Sequence, residues 1–221
     1  MALVGSMLAL LLTLLPARSA TWPDWQLPAP LQPSGRSDLV YPAWFAGSWQ
    51  LSSHDLAGQE PDLQHPVRFV DRGGGVVVGD RAFNANAVGA ALLGAQLLAV
   101  ENDPANPNRQ LARLAGGVLL ESTVVARRSE PSGNGSGADR FSADELALQV
   151  VRGPGGEPRI SQVETLSRYR LEADGTISGE QWQATYPSPG AGLIARPLRT
   201  AHWQLRLVRP TPAGPRFDRA S

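Results

Sequence analysis

The sequence predicts an all-β protein: a single antiparallel meander barrel of about ten strands with one short helix. The chain contains 23 Gly and 19 Pro, and such frequent punctuation suits many short strands better than long helices. From Gly47 onward, turn signals recur about every 8–12 residues, the spacing of barrels and sandwiches. Short turns, without long crossovers, join the segments, and closure would remove the unpaired edges of such a meander. A two-sheet sandwich is the alternative.

Alternation of apolar and polar residues places the individual elements. Strands are expected within residues 49–54, 67–70, 75–83, 97–100, 110–114, 118–127, 145–152, 160–171, 176–186 and 198–209. Residues 84–94 predict the helix, because their apolar residues cluster at helical spacing and Asn84 is a good N-cap. Residues 102–108 (NDPANPN) predict a turn, 129–139 (SEPSGNGSGAD) predict a flexible loop, and Asp174-Gly175 predicts a tight hairpin turn.

The ends of the chain are expected to lie outside the barrel. Residues 7–15 (MLALLLTLL) are too short to span a bilayer, and Ala17 and Ser19 occupy the −3 and −1 positions of a cleavage site, so residues 1–20 predict a secretory signal peptide. An uncleaved anchor is the alternative, since no basic residue precedes the apolar run. We expect a Pro-rich irregular lead-in over residues 21–40, a barrel domain over 41–210 and a flexible tail over 211–221. After cleavage the protein would be exported and not integral to a membrane.

Composition excludes several classes of function. The formal net charge is zero, and every basic residue is Arg, without the stacking aromatics of a nucleic-acid surface, so no nucleic-acid partner is expected. The chain has no Cys, which removes disulfides, thiolate catalysis and thiolate metal sites.

Gly47 and Trp49 resemble the Gly-x-Trp opening of lipocalin-like (calycin) barrels, in which the Trp closes one end beneath an Arg of the last strand. With an even number of strands, the last strand runs antiparallel to the first and ends where the first begins. Arg209 continues the apolar face of the last strand, which is formed by Trp203, Leu205 and Leu207. Strand parity therefore predicts that Arg209 stacks on Trp49, in a cation–π contact worth about 1–2 kcal/mol when desolvated.

Several phrases are also similar to an exported family of cyanobacteria and chloroplasts to which no biochemical activity is attached. These phrases are residues 41–49 (YPAWFAGSW), 80–84 (DRAFN), 107–110 (PNRQ), 140–141 (RF) with 145–146 (EL), 163–164 (VE) with Tyr169, and 183–189 (QATYPSP). The resemblance implies a location in the periplasm or the thylakoid lumen. Residues 190–192 (GAG) depart from the family, which has a more acidic and aromatic stretch there.

Two aromatic residues give the clearest pointer to a ligand. Trp182 and Tyr186 share one strand face, with Ala184 between them. If that face points inward, the small residue between two rings leaves a slot for a flat apolar ligand. Ordinary core packing is the alternative. The expected function is the binding of a small apolar or amphipathic molecule, such as a pigment, lipid or tetrapyrrole.

Two arginines beside turns are candidate anchors for an anionic ligand. Arg81 and Arg109 carry guanidinium groups that suit carboxylates and phosphates. The alternative is that Asp80 and Arg81 pair with their neighbours while Asn84 caps the helix.

No motif supports an enzyme, and no cofactor is assigned. Glu145 and Glu164 could form a paired-carboxylate site, but the sequence favours a solvated face or ion pairs with Arg168 or Arg170. The three histidines, His54, His65 and His202, have no metal-ligand spacing, although a haem needs only one. The alternative function is a structural or assembly factor that contacts a membrane protein complex through its outer surface.

Overall fold

The computed structural model describes residues 31–132, 139–189 and 196–210, and within them it confirms the all-β prediction. These residues form twelve antiparallel strands and one α-helix. The strands are β1 (Gln32–Pro33), β2 (Val40–Tyr41), β3 (Gly47–Asp55), β4 (Leu63–Asp71), β5 (Val77–Gly79), β6 (Leu97–Asp103), β7 (Asn106–Leu114), β8 (Val118–Ser132), β9 (Arg140–Arg152), β10 (Arg159–Leu171), β11 (Ile177–Tyr186) and β12 (Arg199–Val208), and the helix is α1 (Arg81–Leu93).

The strands form one meander sheet that curls into a half-barrel. Neighbours follow the chain from β6 to β12, and β12 then pairs with β3, so the first and last long strands lie edge to edge. The order continues through β4 and β5 to β2, while β1 pairs with the far half of β8. In the described part of the chain, β5 is not hydrogen-bonded to β6, and α1 packs against both β4 and β6. We call this gap, spanned by α1, the seam.

One face of the sheet is concave and holds the aromatic core. Phe69 of β4 and Phe141 of β9 lie far apart in the strand order, yet both rings contact Phe45, at centroid distances of 4.8 and 6.0 Å. The sheet must therefore curl around this face, which we call the inner face. The opposite side is the outer face. Other buried members of the inner core are Tyr41, Trp49, Tyr169, Ile177, Trp203, Leu205 and Leu207.

The closed end is built from Gly47 and Trp49 of β3 and from Arg209, which directly follows β12. The Arg209 guanidinium carbon lies 3.7 Å from the centroid of the Trp49 ring, the arrangement that strand parity predicts. Trp49 Nε1 donates to the Phe45 carbonyl at 2.7 Å, and Arg209 Nη1 donates to the Ala46 carbonyl at 2.9 Å. Gly47 has a φ of +105°, and a Cβ there would lie 2.5 Å from Arg209 Nη1. Only glycine leaves room for this guanidinium.

The helix begins earlier than the sequence indicates. Asp80 is its N-cap, with Oδ1 accepting from the Phe83 N–H at 3.3 Å, so α1 starts at Arg81 and the strand expected over residues 75–83 shrinks to β5. The prediction that Asn84 caps the helix is wrong. Asn84 is buried inside α1, where it accepts from the Arg68 N–H at 2.7 Å and donates to the Arg68 carbonyl at 3.0 Å, which joins the helix to β4.

Strands occur in two segments for which the sequence predicts irregular structure, residues 102–108 and the lead-in. Residues 102–108 were expected to be turn, but β6 and β7 run through them, and the turn contracts to residues 104–105 because Asp103 Oδ1 accepts from the Ala105 N–H at 2.7 Å. The lead-in contributes β1, β2 and the buried core residue Leu39. Of the loop expected over 129–139, residues up to Ser132 belong to β8, and 133–138 lie outside the described residues. The expected signal peptide, the tail after 210 and residues 190–192 also lie outside them.

Candidate functional site

A buried ionic cluster on the inner face joins four separate parts of the chain. Arg81, the first residue of α1, is only 6% exposed. Its Nε donates to Asp38 Oδ1 at 2.8 Å, and its Nη2 donates to Glu145 Oε1 at 3.1 Å. Arg127 Nη2 lies 3.1 Å from the same Glu145 oxygen. The cluster thereby ties the lead-in and the helix to β8 and β9, at the seam.

The cluster keeps its charges. Burial alone would raise the pKa of Glu145, but the guanidinium groups of Arg81 and Arg127 outweigh it and hold that pKa below its ordinary value. Burial disfavours the charged form of Arg81, yet Glu145 and Asp38 raise its pKa above the usual range. Burial also lowers the pKa of Arg127. Carboxylate and guanidinium groups that stay ionised suit binding and structural roles rather than proton transfer.

Asn108 extends the cluster into a hydrogen-bonded clamp on the lead-in. Its Nδ2 donates to the carbonyls of Gly35 and Ser37 at 3.1 and 3.0 Å. Arg127 donates to the same Ser37 carbonyl at 2.9 Å and to Asn108 Oδ1. These bonds fix the backbone that carries Asp38, and so position Asp38 against Arg81.

A cavity of about 410 Å³ opens at the seam beside Arg81; we call it the seam cavity. It is lined by Asp38, Val70, Arg72, Val78, Gly79, Asp80, Arg81, Asn102, Asp103, Pro104 and Pro107. Two carboxylates of the lining are neutralised by arginines outside it, since Asp80 pairs with Arg68 at 2.5 Å and Asp103 pairs with Arg109. Asn102 Oδ1 accepts from Gln110 Nε2 at 3.2 Å, which links the lining to the inner face.

Three buried polar atoms, in side chains that hydrogen bonds and ion pairs connect to this lining, have no hydrogen-bond partner among the described residues. They are one donor, Arg127 Nε, and two acceptors, Glu145 Oε2 and Gln110 Oε1. Each belongs to a side chain within one or two polar contacts of Arg81 or Asn102. An unsatisfied buried polar group costs about 1–3 kcal/mol, so three together call for an explanation.

Arg81 and Arg109, the candidate anchors for an anionic ligand, both lie near the seam cavity. Arg81 lines it, whereas Arg109 does not, although it forms an ion pair with the lining residue Asp103. Both guanidinium groups already have carboxylate partners. For Arg81, pairing with neighbouring residues was the alternative to binding an anionic ligand. Asp80, the other residue of that alternative, pairs with Arg68.

Trp182 and Tyr186 lie on the outer face. Gln181, one residue away, is the cross-strand partner of Trp203 in the inner core, so the even-numbered residues of β11 point the other way. Trp182 stacks on His202 at 4.5 Å, and Tyr186 packs with Leu146 and Ala184. The condition for an inward slot is therefore not met.

The two glutamates lie on opposite faces and do not form a pair. Glu145 is the cross-strand partner of Thr165, whereas Glu164 is the partner of Leu146. Glu145 pairs with Arg81 and Arg127 instead of Arg168 or Arg170. Glu164 Oε2 accepts from the Tyr186 hydroxyl at 2.7 Å.

The histidines are dispersed. His54 Nδ1 lies 2.6 Å from Asp62 at the surface, and burial lowers the pKa of both His65 and His202. Within residues 31–132, 139–189 and 196–210, no group of three or more His, Asp or Glu side chains is arranged to hold a metal ion.

Sequence reasoning missed Asp38, Asn108 and Arg127 as members of the cluster. Asp38 lies in a segment without periodicity. A register shift in β8 between Val124 and Ala126 reverses the strand's parity, so Arg127 turns to the inner face although simple alternation would turn it outward. A β-bulge of this kind leaves no clear mark in a single sequence.

In the part of the chain that the structure describes, no helix has the length and apolar character to cross a membrane.

Comparisons with known proteins assign the chain to one family. No curated protein and no solved structure matches the chain. Residues 52–197, well over half of the chain, match the model of a family described as a domain of unknown function, DUF6816. The chain belongs to the DUF6816 family.

Proposed function

We propose that this protein is a non-catalytic binding protein that holds one small amphipathic molecule in the seam cavity. The observation that carries the proposal is a set of three buried atoms without a partner among the described residues, in side chains connected to the cavity lining: Arg127 Nε, Glu145 Oε2 and Gln110 Oε1. One donor and two acceptors match a ligand whose polar end carries hydroxyl or amide groups. Such a ligand would supply the missing hydrogen bonds and offset the cost of burying these atoms.

The lining supports the choice of an amphipathic ligand without net charge. About 410 Å³ lies within the range of roughly 300–1,000 Å³ that small-molecule sites occupy. Val70, Val78, Pro104 and Pro107 offer an apolar wall, while the carboxylates on the lining have arginine partners. A net charge on the ligand would compete with these existing pairs.

Of the apolar or amphipathic molecules expected from the sequence, a wholly apolar ligand has less support. The inner face at the closed end is packed with rings, and Trp182 and Tyr186 face outward. The likeness to lipocalin-like barrels is part of the proposal, and the Gly47, Trp49 and Arg209 corner supports it.

Export to the periplasm or the thylakoid lumen is likewise part of the proposal, supported by the apolar run at residues 7–15 and the small residues Ala17 and Ser19. N-terminal sequencing of the protein from its natural host tests it. A mature chain beginning at Ala20 supports export, and an intact Met1 contradicts cleavage. The assembly-factor alternative stays a prediction.

Native mass spectrometry tests the binding function. The protein is purified without denaturation from its natural host, alongside Gln110→Leu and the matched surface control Gln59→Leu, at an exposed residue. We expect a bound small molecule in the parent and in Gln59→Leu, and its loss from Gln110→Leu. A parent without any bound molecule, or equal retention in all three proteins, would contradict the proposal.

A further inference from the structure

We infer that the outer face carries a second binding site, for a small zwitterion with an ammonium and a carboxylate group, centred on Asp144 with Glu164 beside it. This site is independent of the seam cavity. Asp144 on β9 is the cross-strand partner of Leu166, and Glu164 on β10 is the partner of Leu146, so the two carboxyl groups are diagonal neighbours on one face. They are 1% and 0% exposed.

These carboxyl groups are buried with too few partners. Both oxygens of Asp144 and Oε1 of Glu164 lack a hydrogen-bond partner among the residues that the structure describes. Within the described ranges, the pair receives a hydrogen bond from the Tyr186 hydroxyl, which donates to Glu164 Oε2 at 2.7 Å. Buried carboxyls normally have partners, because desolvation without compensation is costly.

Two arginines stand beside the carboxyls, and in the part of the chain that the structure describes neither is ion-paired with them. Arg128 is the direct cross-strand partner of Asp144, yet its guanidinium lies 3.8 Å from Glu130. The Arg168 guanidinium carbon lies 5.0 Å from the centroid of the Trp182 ring. Arg128, Arg168 and Asp144 line one cavity of about 190 Å³, together with Glu130, Ser142, Ala143 and Leu166.

The chemistry of this outer cavity selects a zwitterion. An unpartnered carboxyl at its floor suits an ammonium group, and two guanidinium groups at its wall suit a carboxylate. A water molecule occupies about 30 Å³ of liquid, so the cavity has room for a molecule the size of a small amino acid and not for a lipid. The flanking arginines disfavour a bare metal ion, whose positive charge they would repel.

Binding is expected to be coupled to a proton. Burial, reinforced by Glu164 and Glu145 and opposed by Arg128, raises the pKa of Asp144 to about 8. Burial also raises the pKa of Glu164 to about 7, against the hydrogen bond from Tyr186 and the charge of Arg128. Below these values the empty site is protonated, so an ammonium group must displace a proton to bind. The other ionisable groups that β8 to β12 carry on this face are Glu121, Arg128, Glu130, Arg140, Arg152, Arg168, Arg170, Glu180, Tyr186, His202 and Arg206.

Isothermal titration calorimetry with three probes tests the site: L-alanine, which carries both groups, ethylamine, which carries the ammonium group, and acetate, which carries the carboxylate. At pH 8.5 we expect alanine to bind more tightly than either partial probe. Alanine binding should weaken about tenfold per pH unit below about 8. In that range its heat should differ between phosphate and Tris buffers, because a proton is released.

Variants locate the binding. Asp144→Asn should weaken alanine at least about tenfold, the loss of one charge-assisted contact, whereas Glu157→Gln, at an exposed carboxylate, should leave it unchanged. Because neutral asparagine removes an uncompensated buried carboxyl, the variant should fold, and its melting curve checks this. Alanine binding no tighter than ethylamine or acetate, equal binding by Asp144→Asn, or no heat from alanine in the parent would overturn the inference. A crystal structure grown with alanine at pH 8.5, in which Arg128 is ion-paired to Asp144 and the cavity holds water alone, would do the same.

Discussion

Replacing Asp144 by asparagine should change how the stability of the protein depends on pH. Burial raises the pKa of Asp144 from its ordinary 3.8 to about 8 in the folded state. The folded protein therefore binds one more proton than the unfolded chain between these two values, and its free energy of unfolding falls as pH rises through this window. Above pH 8 the full cost of the buried carboxylate is present.

The magnitude follows from the same shift. Each pKa unit corresponds to about 1.4 kcal/mol, so the upper bound is about 6 kcal/mol. Arg128 lies opposite Asp144 and can turn to the ionised carboxylate, which recovers part of this cost. We therefore expect Asp144→Asn to be about 2–4 kcal/mol more stable than the parent at pH 9. At pH 5 we expect it to be equal or less stable by about 1 kcal/mol, because the amide leaves unpaired donors.

Urea unfolding at pH 5 and pH 9, followed by tryptophan fluorescence, measures both differences. Glu157→Gln, which removes an exposed carboxylate, should follow the parent at both pH values. The reasoning is refuted if the Asp144→Asn variant loses as much stability between pH 5 and pH 9 as the parent does.

Two further substitutions probe the closed end and the ionic cluster. Gly47→Ala should destabilise the protein by about 2–4 kcal/mol in urea unfolding, because the φ of +105° strains alanine and its Cβ would meet Arg209 Nη1; a loss under about 0.5 kcal/mol would count against the packing at this corner. Arg81→Met should cost about 3–5 kcal/mol by thermal unfolding, since Glu145 loses a partner inside the protein. The surface change Arg113→Met should cost no more than about 1 kcal/mol, and equal losses for the two would contradict the buried role of Arg81.

Much of the fold follows from patterns that are visible in the sequence. Alternating apolar residues identify the long strands, because one side of each packs on the inner core. Parity along the last strand also brings Arg209 to Trp49. Successive residues of a strand point to opposite faces of the sheet, and cross-strand partners point to the same face. The ends of short strands such as β5 are harder to predict. The strand-like pattern continues past Asp80, but Asp80 caps the helix and so ends the strand at Gly79.

The candidate sites were largely hidden because alternation assumes that polar side chains face water. The middle of β9 is buried on both faces, so Asp144 and Glu145 point to opposite sides and neither reaches solvent. The register shift in β8 hides Arg127, and Asp38 lies in a segment without any pattern. Tertiary contacts determine where buried charges of this kind lie, and the spacing of residues along the sequence carries no information about those contacts.

The most direct test of the seam cavity as a binding site is a crystal structure of the protein purified from its natural host without denaturation. We expect electron density for one organic molecule beside Arg81 and Asn102, with a polar group within hydrogen-bond distance of Gln110 Oε1 or Glu145 Oε2. A seam cavity that holds only water, or one filled by side chains of α1 and β6, would contradict the proposed function.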